Sequence, residues 1–210
     1  MSTLAIDHLI QGFDRALRVV NGQARARRGN PAQGIDEASM SDEEKTHSAG
    51  LMRVNHVGEI CAQALYDAQG AFTKTDDIRQ QFQHSGIEEE DHLAWTAGRL
   101  KELNSHTSLL NPLWYAGAYA VGMLAAKSGD KLSLGFVVET ERQVEAHLAS
   151  HMDKLPAQDA RSRAIVEQMR VDEIAHGAAA QSLGASELPA PVKAGMKFMA
   201  KIMTASAYYI

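Results

Sequence analysis

The hydrophobic positions of this chain recur mainly at three- and four-residue spacing, the period of helices that bury one face. Leu4, Ile6, Leu9, Ile10, Phe13, Leu17 and Val20 predict an amphipathic helix over 4–20, with Arg15 and Arg18 on its other side. A Gly-, Pro- and Arg-containing loop follows over 21–40. Ser41 with Glu44 three residues on is a capping-box signature, predicting a helix from there to about Gly70. Its inner stripe is Met52, Glu59, Ala62 and Tyr66, with His56 at the margin. A second helix over 76–103 turns Ile78, Phe82, Ser85, Glu89, His92, Thr96 and Leu100 inward, leaving Glu88, Glu90 and Asp91 to water. Helices over 130–152 and 157–183 carry the stripes Val137, Glu141, Val144, Leu148 and Val166, Met169, Glu173, His176, Ala180. On the former, Glu139 shares a polar side with Arg142 and Gln143 and is expected to meet water.

Two apolar stretches stand apart from these four helices. Leu103–Ala126 contains no Lys, Arg, Asp or Glu, and its part 113–126 is too short and too interrupted to cross a bilayer. It reads as a buried crossover helix, one wall of a greasy channel, or a part that dips into a membrane. The last helix, 192–207, sets Lys193, Lys197 and Lys201 beside Val192, Met196, Met199 and Met203, with Tyr208 and Tyr209 following. Such a helix suits a membrane interface or a cap across the bundle.

The carboxylates inside the stripes change the picture. Glu89-Glu-Asp-His92 and Glu173-Ile-Ala-His176 are both Glu-x-x-His, which puts acid and imidazole on one helix face. Glu59 precedes the first by 30 residues, and Glu141 precedes the second by 32. One Glu from each of two helices, and a Glu-x-x-His from each of two others, is the ligand set of ferritin-like di-metal carboxylate bundles. The expected fold is therefore an all-α, ferritin-like four-helix bundle over 41–187. An N-terminal helix and loop (1–40) and a C-terminal amphipathic helix (188–210) flank it. Unpaired buried carboxylates are costly, so a metal is the natural partner for Glu59, Glu89, His92, Glu141, Glu173 and His176. Carboxylate-plus-imidazole ligation suits iron or manganese better than zinc. Asp172 reads either as a hydrogen-bond acceptor for a ligand histidine or as solvated. His147 reads either as an outer neighbour of the site or as a surface residue.

Charge supports this reading. The net charge of −5 comprises +3 over 1–34, +3 over 188–210 and hence −11 between them, and four of those negatives are the candidate ligands. The basic ends are small and carry no nucleic-acid-binding motif, so no nucleic-acid partner is expected. Cys61 is alone, which excludes an internal disulfide framework or a cysteine zinc site. The first residues, interrupted by Asp7 and Asp14, do not have the pattern of a secretory signal.

Arg53-Val-Asn-His-Val-Gly-Glu59, Glu89-Glu-Asp-His-Leu93, Glu141 followed by His147, and Asp172-Glu-Ile-Ala-His176 resemble the demethoxyubiquinone hydroxylase family of ubiquinone biosynthesis. The similarity covers roughly 45–208, and the first 40 residues fit the family's longer bacterial form. The resemblance implies a ferritin-like, membrane-associated di-iron mono-oxygenase with two Fe ions, O2 as co-substrate and a polyprenyl benzoquinol as substrate. It implies that Glu59, Glu89, His92, Glu141, Glu173 and His176 act through the metals. It further implies a peripheral protein on the cytoplasmic face of the cell membrane, among other ubiquinone-biosynthesis proteins. Shorter family members have Tyr where Leu148 stands, so a role for such a tyrosine does not carry over. Two other classes share the ligand pattern: ferritin-type iron storage and a membrane di-iron quinol oxidase.

Overall fold

A computed structural model describes residues 12–210 except Phe13 and Ala38. Six helices are defined from residue 42 onward: α1 Asp42–Phe72, α2 Asp76–Glu102, α3 Asn111–Lys127, α4 Asp130–Lys154, α5 Ala160–Ser182 and α6 Ala190–Ala207. Residues 14–20 are also helical; most of the rest of the helix expected over 4–20 lies outside the described residues. No strand occurs among the described residues.

Local chemistry sets the helix ends. Ser41 Oγ accepts from the Glu44 amide at 3.2 Å while the Ser41 amide donates to Glu44 Oε2 at 2.8 Å, so the expected capping box forms. Asp159 caps α5 by accepting from the Ser162 amide at 3.0 Å. Pro112 sits in the first turn of α3, where a missing N–H costs nothing.

Short links make α1/α2 and α4/α5 antiparallel hairpins, and α2 meets α5 across the bundle. The crossover α3 runs beside α1 and returns the chain to the far end, where α4 begins. This is the ferritin-like arrangement. Backbone contact fixes the crossover: a Cβ on Gly122 would lie 3.0 Å from the Ala68 Cβ and the Leu65 carbonyl oxygen. Gly122→Val should overpack this seam by about 1–3 kcal/mol, lowering Tm by roughly 2–12 °C in thermal unfolding. An unchanged Tm would mean that α3 is not pressed onto α1.

The core is divided. Met52, Trp95, Leu100, Leu148, Ile165, Val166 and Met169 fill one end, and Tyr66, Ile78, Phe82, Leu134, Val137 and Ala180 fill the other. Each candidate glutamate has core residues seven positions away, two helical turns along the same face: Met52 and Tyr66 about Glu59, Phe82 before Glu89, Leu134 and Leu148 about Glu141, Val166 and Ala180 about Glu173. The four acids thus form one polar belt between two apolar plugs.

Two surface expectations change. The crossover is not a buried helix, since Leu113, Val121 and Leu124 are exposed. On α6, Met203 packs inward with Val54, Val57 and Ala207, so the exposed apolar arc is Val192, Phe198, Met199 and Ile202. Arg15, on the polar side of the first helix, pairs with Asp67 at 2.8 Å and Glu90 at 3.1 Å. No helix among the described residues is long and apolar enough to cross a membrane.

Candidate metal centre

The belt contains all six expected residues. Glu59 on α1, Glu89 and His92 on α2, Glu141 on α4, and Glu173 and His176 on α5 are each at most 3% exposed. Their donor atoms form two overlapping groups, Glu59/Glu89/His92/Glu173 and Glu89/Glu141/Glu173/His176, with the atoms in each within 4.8 Å of one another. Glu89 and Glu173 belong to both. His92 Nδ1 lies 3.0 Å from Glu89 Oε2 and 3.5 Å from both Glu59 Oε2 and Glu173 Oε1. His176 Nδ1 lies 3.2 Å from Glu89 Oε1 and 3.5 Å from Glu173 Oε2.

The far side of each imidazole is tied to the opposite Glu-x-x-His helix. His92 Nε2 is 2.9 Å from Asp172 Oδ2, and His176 Nε2 is 2.8 Å from Glu88 Oε2. A carboxylate there accepts a hydrogen bond from Nε2–H, so the neutral ring that a metal would bind presents Nδ1 to the belt. Tyr66 donates to Glu141 Oε1 at 2.5 Å and leaves Oε2 without a partner. Burial, with Glu141 beside it, pushes the Tyr66 pKa well above its ordinary value, so the phenol remains a donor.

Several ligand-type atoms have no hydrogen-bond partner: Glu59 Oε2, Glu89 Oε1, Glu141 Oε2, both Glu173 oxygens and His176 Nδ1. Orphaned buried acceptors are expensive, and here they converge on two points. The residues therefore fit a pair of divalent cations.

Charge balance agrees. Without metal, burial and the neighbouring Glu89 and Glu173 charges hold Glu59 protonated. Burial and Glu173 do the same for Glu141. Burial also opposes charge on Glu89 and Glu173, but the histidine contacts outweigh it and keep both ionised. Burial opposes protonation of His92 and His176, yet their carboxylate partners raise both well above the usual imidazole range. Two imidazolium ions, two carboxylates and two neutral acids sum to zero. Four carboxylates, two neutral imidazoles and two divalent ions also sum to zero. Metal loading at pH 7 should therefore release about four protons per chain, two from the histidines and two from Glu59 and Glu141. Calorimetric titration in buffers of different ionisation enthalpy measures this, and release near zero would overturn the charge assignment.

The remaining expected residues separate. Asp172 takes the hydrogen-bonding position beside His92. His147 forms no hydrogen bond to the six; its ring lies against that of His151, tilted by 57° with centroids 4.0 Å apart, and lines a separate cavity of about 510 Å³ with His47 and Tyr208. Glu139 is not solvated: it is buried and accepts from Gln143 at 2.7 Å and Arg142 at 3.1 Å. His56, at the margin of the α1 stripe, is fully buried, and burial pushes its pKa down to about 4. The acids expected in water are engaged too. Glu88 holds His176, Asp91 is buried against the 27–28 backbone, and Glu90 pairs with Arg15. A signal for Glu88 was present, because an acid directly precedes both Glu-x-x-His motifs.

Comparison with known proteins gives the same direction. The family described as "Ubiquinone biosynthesis protein COQ7" matches residues 46–207. The chain is 65% identical to the 3-demethoxyubiquinol 3-hydroxylase of Herbaspirillum seropedicae, over 98% of this chain and 99% of that one. It is 63% identical to that of Herminiimonas arsenicoxydans, over 97% of each. It is 58% identical to that of Cupriavidus pinatubonensis, over 98% of this chain and the whole of the relative. With this extent of similarity, and with the motifs that carry it folded into one buried carboxylate–histidine belt, the chain belongs to the COQ7 family of ubiquinone biosynthesis proteins.

Proposed function

We propose that this chain hydroxylates the ring of a demethoxy polyprenyl benzoquinol with O2, in ubiquinone biosynthesis, at a di-iron centre held by Glu59, Glu89, His92, Glu141, Glu173 and His176. The observation that carries the site is the convergence of their donor atoms on two overlapping groups, five of the six residues having an atom there without a hydrogen-bond partner. The names of the full-length relatives carry the substrate.

In balance, a ring C–H, O2, two electrons and two protons give a ring C–OH and water. Two iron(II) ions would supply the O2 reduction that side chains alone cannot. The protein does the rest. Its two apolar plugs keep bulk water from the belt, where charge interactions are then strong. Asp172 and Glu88 hold the imidazoles with Nδ1 inward, and Tyr66 holds one oxygen of Glu141 away from the ligand position.

A quinol with a long isoprenoid tail partitions into the bilayer. The exposed apolar positions of α3 and α6 suit a peripheral protein on the cytoplasmic face of the membrane, taking substrate from it. Trp114 of α3 and Met203 of α6 meet in one cluster beside α1, so the two surfaces are neighbours.

The test is turnover of a short-tailed demethoxy quinol by iron-loaded protein under ¹⁸O2 with a reductant. One label in the ring and one in water is the expected result. Label in water alone would identify a quinol oxidase, and an iron mineral without product would identify a storage protein.

A further inference from the structure

Outside the segment matched by the family, one side chain touches the outer partners of both ligand histidines. Arg28, in the loop before α1, places Nη2 2.8 Å from Asp172 Oδ2, Nη1 3.5 Å from Glu88 Oε1 and Nε 2.6 Å from Asp91 Oδ2. Asp172 Oδ2 is the atom that meets His92, and Glu88 is the residue that meets His176. Asp91 also fixes the loop backbone, accepting from the Arg27 amide at 2.5 Å and the Arg28 amide at 3.3 Å. The guanidinium lies over Trp95, 5.0 Å from the ring centroid, and Trp95 in turn lies against His92. Three carboxylates from two helices thus converge on one planar cation.

We propose that Arg28 is a positioning residue that couples the two halves of the metal centre. The inference rests on the ligand assignment above. Glu88 and Asp172 sit on different helices, and each orients the imidazole of the other helix. Unneutralised, the three acids would repel and turn toward water, releasing both rings. A guanidinium is a rigid fork that can satisfy separate carboxylates at once; the ammonium of lysine is a point charge that cannot. Because His92 and His176 belong to different ligand groups, loss of Arg28 should weaken both metal positions together.

Anaerobic cobalt(II) titration of the full chain, followed by visible absorbance against a competing chelator, tests this. Wild type should bind two ions; if it does not, the ligand reading fails, and this inference falls with it. Arg28→Gln should weaken both ions by roughly 10–100-fold, the usual effect of losing an outer partner of a metal ligand. Arg28→Lys keeps the charge but should also weaken both. Asp172→Asn and Glu88→Gln should each act mainly on one half. Glu37→Gln is the control for loop docking, because Glu37 anchors the same segment through Arg99 at 2.6 and 3.0 Å, away from the belt. It should lower the Tm of the metal-free chain without changing cobalt affinity. Arg28 variants that bind both ions within about twofold of wild type would overturn the proposal, as would Glu37→Gln weakening them as much as Arg28→Gln. If Arg28→Gln does not fold, Arg28→Lys decides.

Discussion

Replacing Glu89 by alanine should empty both metal positions and reduce hydroxylation to background. The expectation follows from the overlap of the two ligand groups, in which only Glu89 and Glu173 are shared. Glu59 and His92 serve one half, and Glu141 and His176 the other. A carboxylate common to both groups would serve both ions, so truncating it should remove a ligand from each and leave their charges less compensated. The loss should exceed the roughly 10–100-fold expected for an outer partner. Glu59→Ala and Glu141→Ala should each deplete one ion first, whereas Glu139→Ala should keep both, since that residue is occupied by Gln143 and Arg142. Metal analysis after gel filtration reads these differences, and circular dichroism confirms that each variant is still helical. Two irons retained by Glu89→Ala would remove its assignment as a shared ligand.

The candidate ligand positions are legible in the sequence because a helix repeats its face on a fixed period. A glutamate in place of an apolar residue within a stripe, as at Glu59 or Glu141, stands out without knowledge of any neighbouring helix. Glu88 lies one position off the stripe of α2, so only the presence of an acid directly before both Glu-x-x-His motifs points to it. Its partner is an imidazole on α5, and only the packing of the two helices brings them to 2.8 Å. Arg28 is less visible still: a loop arginine 144 residues from Asp172 has no period to betray it. The crossover misleads for another reason. An uncharged run predicts burial, but α1 needs only one side of α3, the side at Gly122 and Ala126, and the remaining apolar surface stays outside. The sequence also reads Lys193, Lys197 and Lys201 as one basic stripe. In the fold Lys193 is drawn to Glu187 and lies 3.9 Å from Glu139, while Lys197 and Lys201 remain exposed.

That difference alters the membrane prediction. Two free lysines near an anionic leaflet should contribute about 1 kcal/mol each, so Lys197→Glu with Lys201→Glu should weaken vesicle binding by at least roughly one to one and a half decades at low salt. This attraction is screened as salt rises. The apolar arc of α6 is not, and it should dominate: Phe198 and Ile202 project outward, and each large side chain gains about 1.5–3 kcal/mol on full burial. Phe198→Ser with Ile202→Ser leaves the charge unchanged and should lower partitioning by roughly two decades or more at any salt concentration. Both side chains point away from the bundle, so the metal pair should stay bound and the helical spectrum should not change. Turnover of a short-tailed quinol presented in solution should survive, while turnover of a long-tailed quinol in vesicles should fall with binding. Co-sedimentation of the metal-loaded chain with vesicles containing phosphatidylserine, at two salt concentrations, separates the terms. If the serine pair sediments like wild type at both, α6 is a cap across α1 and α4. Attachment would then fall to the exposed leucines of the crossover, Leu113 and Leu124, and the same measurement on their serine variants would decide it.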